Sequence, residues 1–352
     1  MLATLFLATA CARIARPEGW AGPTLADDRL VASIGRGELA AIDIADSSGS
    51  VIWRFPPKDQ KHPDGSEIEP LAIYSTPLVA DDTVYFGAYD GWFYALDLAT
   101  GDISWERETG GPIVGSAAVE DGVVYVGSDD GKLYALDAET GDLQWQFKSG
   151  DSIWATPLLA DGVVYAASMD KKAYALDAAS GEEIWHFKAD GGLPSTPVLV
   201  DGTLLVGGLD RRLRALDVAS GEQKWAFKAD NWFWTRPLVL EDTVYAGSLD
   251  GKVYALDVKD GTPKWEEPFD TGEPVRAAPL LLDDVLLIAN RKGNISGLDP
   301  EDGQAVWGPI ELDKTILSDP LGQEATAYIS AQGGDLFIVD KDGKTALLEL
   351  TE

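Results

Sequence analysis

The chain has 352 residues, 45% of them hydrophobic, with 59 acidic side chains against 28 basic ones and a formal net charge of -31. Such a surplus repels nucleic acid and anionic membrane surfaces, which leaves no basis for a nucleic-acid partner. Two histidines, His62 and His186, and one cysteine, Cys11, leave too little material for a Cys/His zinc site, a catalytic Cys-His pair or an internal disulfide framework.

In chain order, the first element is the apolar run Leu2 to Ala10, too short to span a bilayer. Ala8-Thr9-Ala10 before Cys11 resembles a bacterial lipobox, whose small residues fit the peptidase and whose cysteine becomes the lipid-bearing N-terminus. Leucine stands at position 7 rather than three before the cysteine, and no Lys or Arg precedes the run, which suggests a start further upstream. An ordinary secretory signal with an A-x-A site is the alternative. Either reading makes residues 1–19 a signal and linker and the mature chain extracytoplasmic, at the cell envelope or surface. Membrane contact is then expected only through a lipidated Cys11.

From Trp20 onward the chain repeats with a period of forty residues. An aspartate recurs at Asp43, Asp97, Asp137, Asp177, Asp217, Asp257, Asp299 and Asp340. Twenty residues before it stands Pro23, Pro77, Pro157, Pro197, Pro237, Pro279 or Pro320, with Ala117 in the remaining unit. Each unit predicts four short strands: an apolar run after the proline, a V-x-Y-x-G run, an x-x-Y-A-L-D run, and a stretch ending in Trp. Asp-Gly at Asp90-Gly91, Asp130-Gly131 and Asp250-Gly251 supplies the positive φ of a tight hairpin. In the D-x-x-T/S-G turn, as at Asp97 to Gly101, the aspartate can accept backbone N–H groups. The longest insertion, Phe55 to Ala72, falls in one connection between units. Residues 20–352 are therefore expected to form one all-β, eight-bladed propeller of four-stranded blades, or seven blades if a terminal unit only patches another.

The motif A-L-D-x-x-T/S-G-x-x-x-W, at Ala95–Trp105, Ala135–Trp145, Ala175–Trp185 and Ala215–Trp225, resembles the tryptophan-docking motif of pyrroloquinoline quinone (PQQ)-like propeller repeats. That family includes quinoprotein dehydrogenases and a lipoprotein of outer-membrane protein assembly. The resemblance implies that Trp53, Trp105, Trp145, Trp185, Trp225, Trp265 and Trp307 wedge between blades; Leu348 takes that place in the last unit. The enzymes in the family place PQQ over the channel with calcium, a catalytic aspartate and, often, a disulfide of adjacent cysteines. This chain has no adjacent cysteines, and it lacks the long insertions that would cover the cofactor from water. Asp81-Asp82, Asp129-Asp130 and Asp283-Asp284 are isolated turn pairs, whereas calcium wants about six to eight oxygens. No catalytic residue, metal or cofactor is assigned.

Side chains that the repeat does not require are better functional markers. Five tryptophans lie outside the docking set: Trp20, Trp92, Trp154, Trp232 and Trp234. All are expected on the face that carries the Asp-Gly hairpins and the returns between blades. Basic residues gather there too, with Lys171-Lys172, Arg211-Arg212 and Arg291-Lys292 at hairpins and Arg236 and Arg276 opening inner strands. A side chain at the glycine position costs about 1 kcal/mol if positive φ is kept. Trp20, Tyr74, Trp154, Trp232, Trp234, Arg236, Arg276, Arg211 and Lys171 are thus the candidate ligand- or partner-binding residues, suited to a protein partner or to an anionic or peptide ligand at the channel mouth. The alternative is that the basic hairpin tips only offset an over-acidic molecule. The function expected is a secreted, lipid-anchored, non-catalytic binding scaffold at the envelope, of the outer-membrane assembly type, with a small PQQ-dependent oxidoreductase as the alternative.

Overall fold

The computed structural model describes residues 19–351 except 36, 46–48, 59, 64 and 71; the leader and Cys11 lie outside the described residues. The described residues form eight four-stranded antiparallel sheets, each with its strands in sequence order. These are the eight blades of a propeller: Thr24–Phe55, Leu78–Glu108, Ala118–Lys148, Leu158–Lys188, Val198–Lys228, Leu238–Asp270, Leu280–Glu311 and Leu321–Leu347. All four strands of every blade come from one contiguous stretch, so no strand is exchanged between the ends of the chain.

Blade 3 shows how the repeat folds. The middle strands Val123–Gly127 and Lys132–Asp137 pair Tyr125 with Ala135, and their central residues are buried on both faces. Neighbouring blades cover those faces: Tyr85, Phe93 and Trp105 of blade 2 pack with Val124, Val126, Tyr134 and Leu136 of blade 3. The outer strand Leu143–Lys148 joins opposite Ala135 through a register shift between Ala135 and Leu136, beside Trp145. A bulge there strengthens the local twist and turns the indole toward the next blade. The same shift occurs in blades 1, 2, 4 and 5. Blade 6 differs because Pro263 and Pro268 cannot donate to a ladder, which leaves Phe269–Asp270 as its outer strand.

All seven docking tryptophans act alike. Each indole N–H donates to a carbonyl of the following blade, for example Trp145 to Ala178 at 2.9 Å and Trp225 to Val258 at 2.8 Å. Each ring covers the glycine of that blade's outer turn; a Cβ on Gly181 would lie 2.5 Å from Trp145. Before that glycine, Asp177 Oδ1 accepts from the N–H and hydroxyl of Ser180 at 2.8 Å. The ring closes differently, since Leu348 occupies the tryptophan place and is buried against blade 1. Thr351 then forms a parallel bridge to Ser50, with Val51 N donating to Thr351 O at 2.9 Å.

The insertion between blades 1 and 2 folds back over blade 2. His62 stacks on Trp92 with centroids 4.1 Å apart, and its Nδ1 lies 3.0 Å from Glu106 Oε1; both side chains are buried. Trp92 is therefore a packing residue beneath the insertion and does not face the channel mouth.

Candidate functional site at the channel mouth

Inner strands enter the ring from the hairpin face, so residues just before each repeat proline surround the channel opening. The position three before the proline holds Trp20, Tyr74, Val114, Trp154, Pro194, Trp234, Arg276 and Leu317 in blades 1 to 8, and all eight line one cavity of about 110 Å³. The large members touch each other. Tyr74 and Trp20 have centroids 4.1 Å apart, the Arg276 guanidinium lies 4.6 Å from the Trp20 ring and 4.5 Å from the Trp234 ring, and Trp234 reaches Trp154 at 6.1 Å. One run of ring and cation contacts thus joins blades 2, 1, 7, 6 and 4 across the opening. Trp154 is fixed further by its indole N–H, which donates to Asp129 Oδ1 at 2.8 Å.

Two residues deeper, at the position before the proline, the ring is polar. Thr76, Thr156 and Thr196 each accept a backbone N–H from the blade before, those of Gly22, Ser116 and Thr156, at 3.1 to 3.4 Å. Asp319 takes the same role in blade 8, accepting from Ala278 N at 2.7 Å, and also accepts from the Thr235 hydroxyl at 3.1 Å. Arg236 pairs with Asp319 at 3.4 Å and is otherwise exposed. Sequence reasoning missed this girdle because its threonines read as ordinary inner-strand residues; their recurrence one before the proline was the available signal.

Arg276 differs from Arg236. No hydrogen bond or ion pair joins it to a described residue, and its Nε is buried without a partner. Burial first, and then the charge of Arg291, hold its guanidinium below the ordinary arginine value. The Trp20 and Trp234 indoles supply favourable contacts with it, worth about 0.5 to 2 kcal/mol each.

The remaining candidates stand apart from this cavity. Trp232 is 41% exposed on the return into blade 6, and Lys171 and Arg211 are exposed at hairpin tips. Both tips keep positive φ, 76° at Lys171 and 68° at Arg211, and repeat the backbone bonding of the Asp-Gly hairpins. Blade 7 corrects the alignment there: Gly293, with φ 90°, takes the left-handed position, and Arg291 and Lys292 precede it.

Hairpin aspartates cross-link the blades beneath this face. Asp130 Oδ2 accepts from the Tyr134 hydroxyl at 2.6 Å and from Gly110 N at 3.1 Å, and burial followed by that bond pushes the Tyr134 phenol up to about 12. Blade 5 replaces the tyrosine with the buried Arg214, which forms a two-point pair with Asp210.

Comparison with known proteins agrees with this architecture. The crystal structure of BamB from Moraxella catarrhalis superposes with a TM-score of 0.75 at 20% identity, covering 90% of this chain and 93% of that one. A computationally designed protein, Ika8, superposes at 0.76 with 16% identity, covering 91% and 96%. At those identities the likeness is one of fold. No curated protein matches the sequence. A family model described as outer membrane protein assembly factor BamB matches residues 12–117, 108–196 and 171–349. Those overlapping matches run through all eight blades, and with them the chain belongs to the family of outer membrane protein assembly factor BamB.

Proposed function

We propose that this protein is a non-catalytic scaffold of the cell envelope, secreted and held to the membrane by lipid on Cys11, that docks a protein partner in outer-membrane protein assembly. The observation carrying this reading is the family match across the whole propeller. The aromatic and cationic side chains gathered at the mouth support it, because those residue types are the usual anchors of protein interfaces. Docking would use the hairpin face, where the exposed Trp232 stands with the cationic tips Lys171 and Arg211, and an acidic partner surface would complement those charges.

The test uses the protein with its native start in its own host. Tagged protein should co-purify with the outer-membrane assembly machinery, and its loss should lower the amount of outer-membrane β-barrel proteins. Cys11→Ser should move it from the membrane to the soluble fraction. Unchanged barrel levels without it, together with PQQ- and calcium-dependent dye reduction by the purified protein, would establish the oxidoreductase instead.

A further inference from the structure

The cavity lined by the mouth residues and the polar girdle is short of free side-chain hydrogen-bond acceptors among the described residues. The Thr76, Thr156 and Thr196 hydroxyl oxygens each already accept a backbone N–H, so their own O–H protons are left to donate. Among the described residues Arg276 has no hydrogen-bond or ion-pair acceptor, and its Nε is buried without one. The one lining carboxylate, Asp319, is taken by Thr235, Ala278 N and Arg236. Charge points the same way: Arg236 and Arg276 against Asp319 leave the lining with one net positive charge, inside a molecule of net charge -31.

We propose that this cavity is a binding site for a single carboxylate, held by the Arg276 guanidinium in a lining to which Thr76, Thr156 and Thr196 add hydroxyl donors. One surplus positive charge matches a monoanion better than sulfate or phosphate. Trp20 and Trp234 lie against Arg276 on two sides, so the nitrogens left for a ligand form a fork, and a carboxylate is the planar group that accepts from a fork through two oxygens. The volume, about 110 Å³, equals roughly three to four waters, enough for a carboxylate and the first atoms of its carrier. The carrier is either a small free acid or the end of a polypeptide. The site is distinct from the docking face proposed above and stands whether or not that reading holds.

The experiment titrates the full mature chain with ¹³C-acetate, with tri-alanine bearing a free C-terminus, with its C-terminal amide, and with sulfate, following ligand NMR line widths. Saturable binding of acetate or of the free tripeptide is expected, weakened at least about tenfold for the amide and for sulfate. Equal affinity for acetate and tripeptide identifies a small free acid; about tenfold tighter tripeptide binding identifies a chain end. Arg276→Gln should reduce carboxylate binding about tenfold or more. The proposal is overturned if neither carboxylate saturates, if amide or sulfate binds as well as the acid, or if folded Arg276→Gln binds like the parent. The acid-against-amide comparison needs no variant, so it decides the matter even if Arg276→Gln fails to fold.

Discussion

Replacing Trp145 by alanine tests the packing that holds the blades in a ring. An indole of this kind buries about 200 Å², which at about 25 cal/mol per Å² gives roughly 5 kcal/mol as an upper value. Trp145 keeps some exposure and alanine retains part of the contact, which reduces the loss. The lost indole N–H bond adds only about 1 kcal/mol, because the acceptor Ala178 O also receives the Tyr125 hydroxyl at 3.1 Å and is not orphaned. Trp145→Ala is therefore expected to destabilise by about 3 to 5 kcal/mol, read from urea unfolding at an unchanged m-value. Gly181→Ala sharpens the test, since φ at Gly181 is 73° and the new Cβ would press into the Trp145 ring. In the parent it should cost both the clash and the backbone penalty; in Trp145→Ala only the latter, about 1 kcal/mol, should remain. The double variant should then be more stable than the sum of the singles predicts. Additive losses, or a Trp145→Ala variant within about 1 kcal/mol of the parent, would refute direct docking of this ring on that turn.

Closure of the ring can be weighed in the same way. Leu348→Ala should cost about 2 to 5 kcal/mol, and removal of residues 349–352 about 1 to 2 kcal/mol further for the bonds of Thr351 to Val51 and Gly49, seen as a lower Tm. Lys171→Gly should stabilise by up to about 1 kcal/mol, because φ is already 76° there; a loss of stability would mean that the lysine makes a compensating contact. Asp97 and Asp137 are held below the ordinary carboxylate value first by the backbone N–H of a turn threonine, and Asp177 and Asp217 first by a serine hydroxyl. Their folded pKa values lie below the unfolded ones, so their contribution is complete above about pH 4 and fades as pH falls through the folded values. The unfolding midpoint should drop over that acid range, and less steeply once all four are asparagine.

Eight blades were legible from sequence because the spacing of proline, aspartate and tryptophan states how each unit ends and where it touches the next. The same spacing places Trp20, Tyr74, Trp154, Trp234 and Arg276 at one level of the channel. It does not reveal that these side chains would touch one another, because contact across the opening joins residues of blades that are not sequence neighbours, such as Trp154 and Trp234. Trp92 and Trp232 occupy repeat positions filled elsewhere by Lys132 or Lys172 and by Pro112 or Ser152, so the repeat does not say what an indole there meets: Trp232 faces solvent and Trp92 lies under His62. The partnership of His62 with Glu106 joins an insertion to a strand 44 residues away, and no local pattern encodes it.

The contiguity of every blade bears on how such a chain can change over generations. Each unit carries its own four strands and, in all but the last, its own docking tryptophan, and it meets its neighbours through side faces that closely resemble one another. Duplicating or deleting one forty-residue segment would keep every strand pairing intact and alter only the circumference. New chain ends could likewise be opened in any return between blades, provided that the Leu348 joint were rebuilt as an ordinary tryptophan seam. The gene is in this sense a string of interchangeable cassettes, and blade number is a variable that selection can adjust without redesigning a blade.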